Sequence, residues 1–469
     1  MSVKHRATVL STSLVAASAA LFSLPLSAQS PANVPDAVPA RIHPLPPLRL
    51  QAEEIREWNR IRLERVLPRL MREYGVDMWV ISMREYAEDP VFWSFKDPTT
   101  FAARRRSIYV FYDRGPEEGV ERLALGGSDQ GGLFEAFRST RAANPGASGQ
   151  SVGELVGDEQ WQLFRELVED RDPSRIVLNI DEVQAFSDGL HSGEREALER
   201  ALGLSYGERV VREPRLALNF IGNRIPEMMP RYRRIEETVH AIISQAFSNA
   251  VITPGVTTTE DVRWWLREKV QELGMTVWFH PSVAIMGRPG GGGDGSGVIQ
   301  RGDVLWTDFG VIAMGLKTDT QHLGYVLRVG EDEPPPGVRQ CLTNSNRLQD
   351  ILLGQMEAGL TGNQILVNAL AEMRAQGING TIYTHPIGDH GHGAGPLIGR
   401  WDEQERVAGR GDVELLRSTW HSIELQATTP IPEWDGQAVS CRQEEEAYLD
   451  EDGERHWVFR RQARFHLVW

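Results

Sequence analysis

Cysteine is nearly absent from this chain: Cys341 and Cys441 are the only two in 469 residues. So few exclude a scaffold built from disulfides and a metal site built from thiolates, and both are expected to be free, buried thiols. Basic runs are lacking as well. With 50 Lys and Arg against 65 Asp and Glu, the formal net charge is −15. That excludes the electrostatic footprint of a nucleic-acid binder or of a protein drawn to anionic membranes, and it suits metal cations. A phosphate-binding loop is missing too. The run GRPGGGGDGSG, Gly287 to Gly297, lacks the Lys-Ser/Thr ending and the strand-to-helix setting of a P-loop, so it reads as a flexible loop.

Apolar runs of any length are confined to residues 1–28. Lys4, His5 and Arg6 lead into a Ser/Ala/Leu-rich stretch ending PLSA at Ala28, the pattern of a secretory signal peptide. Pro25 and the many Ser and Thr residues argue against a spanning helix, and no cysteine nearby offers a lipid anchor. Residues 29–47 (QSPANVPDAVPARIHPLPP) form an extended Pro/Ala-rich spacer. The expectation is a secreted or periplasmic protein without stable membrane insertion, its mature chain starting near Gln29.

From Leu48 to about Asn219, helical and strand patterns alternate. QAEEIREWNRIRLERVLPRLMREYG spaces its apolar residues as a helix does, and DMWVISM, RSIYVFYD, RLALGG and RIVLNI read as strands. This predicts an α/β domain over residues 48–222. It contains no catalytic constellation, so its work is packing, dimerisation or narrowing access to a site. A second part, 223–469, opens with the amphipathic helix YRRIEETVHAIISQAF. In it, Thr257 and Glu260 have the spacing of a capping box, and the adjacent Trp264 and Trp265 of the helix that follows must face different ways.

Two stretches then carry chemistry. VLWTDFGVIAMGLKTDTQHLGYVL, Val304 to Leu327, reads as a hairpin; a turn centred between Ala313 and Met314 sets Asp308 opposite Asp319. SIELQATTPIPEWDGQAVSCRQEEEAYL reads as another, and a turn near Trp434 sets Glu424 opposite Glu444. Facing carboxylates stand only about 5 Å apart at Cβ and repel unless a cation lies between them. Four such acids with a histidine fit two divalent ions, Mn²⁺, Fe²⁺, Co²⁺ or Zn²⁺, and the donor set does not select among them. The histidine comes from THPIGDHGHGAG. His385 precedes Pro386 and is assigned a structural role. His390 and His392 share a face of an extended backbone; His392 has the Gly-His-x-x-Gly context and takes the metal, while His390 beside it orients substrate or relays a proton.

In order along the chain, Asp308, Asp319, Gly391-His392-Gly393-Ala394-Gly395, Ser422-Ile423-Glu424 and Arg442-Gln443-Glu444 resemble the five-ligand signature of the pita-bread metallopeptidases. That family includes methionine aminopeptidase, aminopeptidase P and prolidase, and the likeness is to its Xaa-Pro peptidase-like branch. The resemblance implies an α/β (α+β) chain, with an amino-terminal creatinase-like α/β domain followed by a pita-bread catalytic domain, and a homodimer. It implies that Asp319 and Glu444 bridge two metals, that Asp308 chelates one, and that His392 with Glu424 holds the other. A hydroxide between the metals would attack the scissile carbonyl of a small peptide or amide, Glu424 moving a proton and Arg442 standing beside the site. Prolidase-type members also carry a histidine four residues before the ligand histidine, one seven after it and one some seventeen before the first aspartate. Counted from His392 and Asp308 these positions are Gly388, Gly399 and Gly291. Their loss leaves open a creatinase-like, ectoine-hydrolase-like or lyase reaction on a small non-peptide substrate, or a non-catalytic binding module. The His390-x-His392 pair does not suit an amidohydrolase barrel, because too little chain follows it.

Overall fold

The computed structural model describes residues 38–137, 155, 157–291 and 295–469. The expected signal peptide, the first part of the spacer (29–37) and the middle of the glycine run lie outside them. In the amino-terminal part, Met78–Arg84 (β1), Arg106–Asp113 (β2), Val120–Leu125 (β3), Glu135–Phe137 (β4), Ile176–Leu178 (β5) and Val210–Val211 (β6) form one six-stranded sheet in the order β4-β3-β2-β1-β5-β6. Its strand β1 is buried from Met78 to Met83, and apolar there except for Ser82, because both faces are covered. Met78 and Val80 meet Phe164, Leu167 and Leu198 of the helices Asp158–Arg171 and Ser192–Gly207. Trp79 and Ile81 point the other way, into a core with Phe92, Phe95, Tyr109 and Phe111. Each large side chain so buried contributes about 1.5–3 kcal/mol of transfer free energy.

The strands that build the candidate site all follow residue 300. Val304–Phe309 (β8) pairs with Ser282–Gly287 (β7) on one edge and Thr320–Val326 (β11) on the other, with the short pair Ile312–Ala313 (β9) and Leu316–Lys317 (β10) at the tip. That tip is a two-residue turn in which Met314 has φ 54° and Gly315 φ 81°. Both central residues with positive φ give the tight hairpin turn that matches strand twist. The turn is thus centred one residue later than expected, and the facing pair is corrected: Asp308 stands opposite Gln321, not Asp319. Because side chains alternate, Asp319 remains on the same face as Gln321, diagonal to Asp308.

Leu425–Ile431 (β15) and Gln437–Gln443 (β16) form the second hairpin around a single helical turn, Pro432–Trp434. Leu425 pairs with Gln443, so continuing the ladder one step sets Glu424 across from Glu444, as expected. Gly380–Ile382 (β12) pairs with β15. His385–Pro386 (β13), Thr419–Ser422 (β14), Glu446–Leu449 (β17) and Arg455–Trp457 (β18) form a further sheet, and His466–Val468 (β19) lies parallel to β11. A bridge between Gln321 and Glu444 ties the two hairpins together.

Helix Pro336–Gln355 lies on β15 and β16, and Cys341 on it is bonded to Cys441 of β16, Cα to Cα 5.9 Å. The expectation of free thiols is corrected, although both sulfurs are buried. Alternation on β16 turns Cys441 toward the helix, and Cys341 falls on the helix face that covers it. Helix Thr259–Glu272 is capped by Thr258 and Asp261, one residue later than expected. Trp264 on it is exposed, whereas Trp265 packs against the main core. No helix among the described residues is long and apolar enough to cross a membrane.

Candidate metal centre

The two hairpins and β13 converge on one buried cluster. Ligand atoms of Asp308, Asp319 and Glu444 lie within 4.8 Å of one another, and so do those of His385, Glu424 and Glu444. Neighbours hold the carboxylates from behind. Ser422 Oγ donates to Glu444 Oε1 at 2.6 Å and to the Asp319 carbonyl at 3.1 Å. The Asp319 backbone N–H donates to Glu446 Oε1 at 2.5 Å. Gln321 Nε2 donates to Glu424 Oε1 and to Glu444 Oε2, both at 2.7 Å, while its own Oε1 accepts from Trp306 Nε1.

What remains on the inner side is unsatisfied. Asp308 Oδ1, Asp319 Oδ1 and His385 Nε2 are buried without a hydrogen-bond partner. Burial, and after it the charge of Glu444, pushes the Asp308 carboxyl up to about 8 and those of Asp319 and Glu424 well above the usual carboxylate range. Orphaned buried oxygens that resist ionising together, with an imidazole lone pair aimed among them, fit a pair of divalent cations.

The order of the histidines differs from the sequence reading. His385, expected to be structural, is fully buried, with Nε2 at 3.3 Å from Glu444 Oε1, 3.6 Å from Asp319 Oδ2 and 4.0 Å from Glu424 Oε2. His392, expected to be the ligand, is exposed and stands outside His385, ring centroids 4.7 Å apart, reaching the cluster only in a group with Asp319 and His385. The cause is local. His385 is paired with Ser422 across β13 and β14, two residues from Glu424, so its ring is delivered to the carboxylates. The glycines credited to a metal at His392 serve another purpose: a Cβ on Gly391 would come within 2.5 Å of the Trp278 ring, which packs edge-on against His392. Tyr383 stands against both His385 and His392 and completes the wall. Counted from His385, the position seven residues on is His392 itself and the position four before is Thr381.

His390 is not brought to the carboxylates. Its ring lies on Phe186, centroids 4.7 Å apart, and burial lowers its pKa to about 4. The residue before it, Asp389, is gripped by Arg224 Nη1 at 2.9 Å and Arg62 Nη1 at 3.1 Å, and Ser94 Oγ donates to it at 2.9 Å. Arg442 lies over the Trp306 ring at 5.1 Å, donates to Gln426, and is close enough to favour ionisation of Asp308 and Glu424. Gln321 escaped the sequence reading altogether, although its same-face spacing from Asp319 was a usable signal.

Residues 232–451 match the sequence model of metallopeptidase family M24. No match was found among curated proteins. Among solved structures, an X-Pro aminopeptidase from Thermotoga maritima is 18% identical, with 85% of this chain and 100% of that one aligned at a TM-score of 0.57. A Xaa-Pro dipeptidase from Bacillus anthracis is 14% identical over 90% of this chain and 100% of its own, TM-score 0.56. The amino-terminal domain of the FACT complex subunit SPT16 from Cicer arietinum is 9% identical over 87% and 96%, TM-score 0.54. At these identities the likeness is one of fold.

Proposed function

We propose that this chain, whose residues 232–451 match the M24 metallopeptidase model and whose fold is like that of an X-Pro aminopeptidase, is an exported, dinuclear aminopeptidase or dipeptidase whose first candidate substrates are Xaa-Pro peptides. The observation that carries the reading is the convergence of Asp308, Asp319, Glu424, Glu444 and His385 in one buried cluster with orphaned inner atoms. Asp308, Asp319, His385, Glu424 and Glu444 would hold the ions, Mn²⁺ being the first candidate. Two divalent ions supply Lewis acidity toward a carbonyl and a water of lowered pKa, which amide hydrolysis needs near neutral pH.

The chain's own groups do the rest. Gln321 and Ser422 fix the glutamates, so that Glu424 keeps one carboxylate edge for moving a proton to the leaving amine. His392, exposed beside the cluster and backed by Trp278 and Tyr383, is placed to contact substrate or pass a proton. The Xaa-Pro preference is supported by the names of the fold relatives and by the spacing from His385 to His392. Thr381 and Gly291, where prolidase-type members have histidine, favour a second reading: the same centre cutting a small non-peptide C–N bond. Export rests on residues 1–28, and a homodimer is the expected assembly.

A substrate panel decides. Metal-reconstituted protein should hydrolyse Xaa-Pro dipeptides or longer Xaa-Pro peptides, and a chelator should abolish the activity. Turnover of small amidines or N-acyl amino acids alone would replace the peptidase reading with the second one, and metal-replete protein inactive on the whole panel would sink both.

A further inference from the structure

On the opposite face of β11 from the carboxylate centre, a separate cluster is built from His240 of helix Met229–Ala246, His322 of β11, and Glu445, the residue after Glu444. Glu445 Oε2 lies 3.0 Å from His240 Nε2, and Glu445 Oε1 lies 2.9 Å from His322 Nε2. One ligand atom of each residue falls within 4.8 Å of the other two, and all three side chains are buried.

Three observations point to a cation. His240 Nε2 and Glu445 Oε2 both lack a hydrogen-bond partner although they are this close, so an imidazole nitrogen and a carboxylate oxygen converge with no hydrogen aligned between them. The remaining atoms are engaged as metal ligands usually are. Glu445 Oε1 accepts the Gln462 backbone N–H at 2.6 Å, which leaves Oε2 pointing inward. His322 Nε2 hydrogen-bonds Glu445 Oε1 at 2.9 Å and its Nδ1 lies 3.0 Å from His466 Nε2; in the tautomer that donates from Nδ1 to His466, Nε2 turns its lone pair to the cluster and the carboxylate contact becomes one that a cation would bridge. Finally, a cavity of about 270 Å³ lined by Pro39, His240, His322, Arg460 and His466 gives a route from solvent. The Arg460 charge at that cavity opposes a cation; Glu236, with Oε1 at 3.2 Å from His240 Nε2, offsets it.

We propose that His240, His322 and Glu445 form a further divalent-cation site, distinct from the carboxylate centre. Two imidazoles and one carboxylate make a nitrogen-rich donor set that favours Zn²⁺ over Mn²⁺, with a fourth position open to water from the cavity. An ion there ties helix Met229–Ala246 to β11 and to the backbone next to Glu444, so it acts as a brace behind the carboxylate centre.

The test is an ion count on the mature chain, stripped with chelator, reloaded with Zn²⁺ and desalted. His240→Gln and His322→Gln should each hold one ion fewer than the parent, with circular dichroism confirming that they fold. Asp308→Ala, which disables the other centre, should keep the ion that His322→Gln loses; this separates the proposal from the peptidase reading. Folded His240→Gln and His322→Gln proteins with the parent's ion count would overturn it. Should both variants fail to fold, anomalous scattering from Zn²⁺-soaked crystals of the parent decides, and no peak between the three side chains also overturns the proposal.

Discussion

His385 and His392 differ in what their rings touch, and that difference sets how their loss should read. Alanine at 385 removes an imidazole that faces three carboxylates within 3.3–4.0 Å. Metal content and activity should fall together, and activity by the 10²-fold or more expected when a metal ligand is lost, about 3 kcal/mol. Alanine at 392 leaves that set intact, so both ions should stay and turnover should drop. Ion counts and kinetics on the two proteins check this, and the reverse pattern would restore His392 as the ligand. The carboxylates give a second expectation, for the metal-free chain. Asp308 is raised from the ordinary value near 3.8 to about 8 by burial and Glu444. The folded state therefore keeps a proton that the unfolded chain has released, and stability falls as pH rises from about 4 through 8. Chelated protein should melt lower at pH 9 than at pH 6, and bound divalent metal should flatten the slope. Equal melting temperatures of the chelated protein at both pH values would contradict the assignment of these buried acids.

At the level of elements, the loop between His385 and His392 is held from outside. Arg62 begins a π-helical turn, Arg62–Val66, inside the long amino-terminal helix, and with Arg224 it closes on Asp389. Both arginines are nearly fully buried, 2% and 3% exposed. Asp389→Asn would strand two buried charges and should cost about 3–5 kcal/mol, read as a shift in the urea midpoint. A change within about 0.5 kcal/mol, the range of an ordinary surface substitution, would mean that the clamp is not holding the loop. Asp389 itself is held far below the usual range by the two arginines, so this contribution is present at neutral pH and fades as pH falls below the unfolded value. None of this was legible in the sequence, because Arg62 and Asp389 are 327 positions apart and no period links them. The second hairpin was legible to the residue: an apolar alternation on both arms and one turn signal fix Glu424 across from Glu444. In the first, Met314 with positive φ hid the turn, since a non-glycine residue gives no sign that it will adopt that conformation. The error shifted the facing partner but not the face, which is why Asp308 and Asp319 still meet. The place of His385 was hidden for a related reason: it depends on pairing with Ser422, a long-range contact, whereas the glycines near His392 are a local signal, and Gly391 makes room for Trp278.

For the whole molecule, the Cys341–Cys441 bond links helix Pro336–Gln355 to the hairpin that carries Glu424 and Glu444, across a sequence separation of 100 residues. Closing so long a loop restricts the unfolded chain, which the chain-entropy account values at up to about 4.7 kcal/mol and measured bonds more often at about 2–4 kcal/mol. Reduction, or Cys341→Ser with Cys441→Ser, should lower unfolding stability by that amount while the folded protein keeps its metal ligands, because neither sulfur touches the cluster. A denaturant midpoint that does not move under reductant would show that the bond is absent or idle. The same bond bears on where the protein works. Such bonds persist in oxidising compartments, and the basic, apolar start of the chain predicts export to one. Intact-mass analysis of protein from its native source should therefore find a chain beginning near Gln29 that takes up no thiol-alkylating reagent under denaturing conditions. A chain that retains Met1 and takes up two alkyl groups would place the enzyme in a reducing compartment and leave the disulfide without a role there.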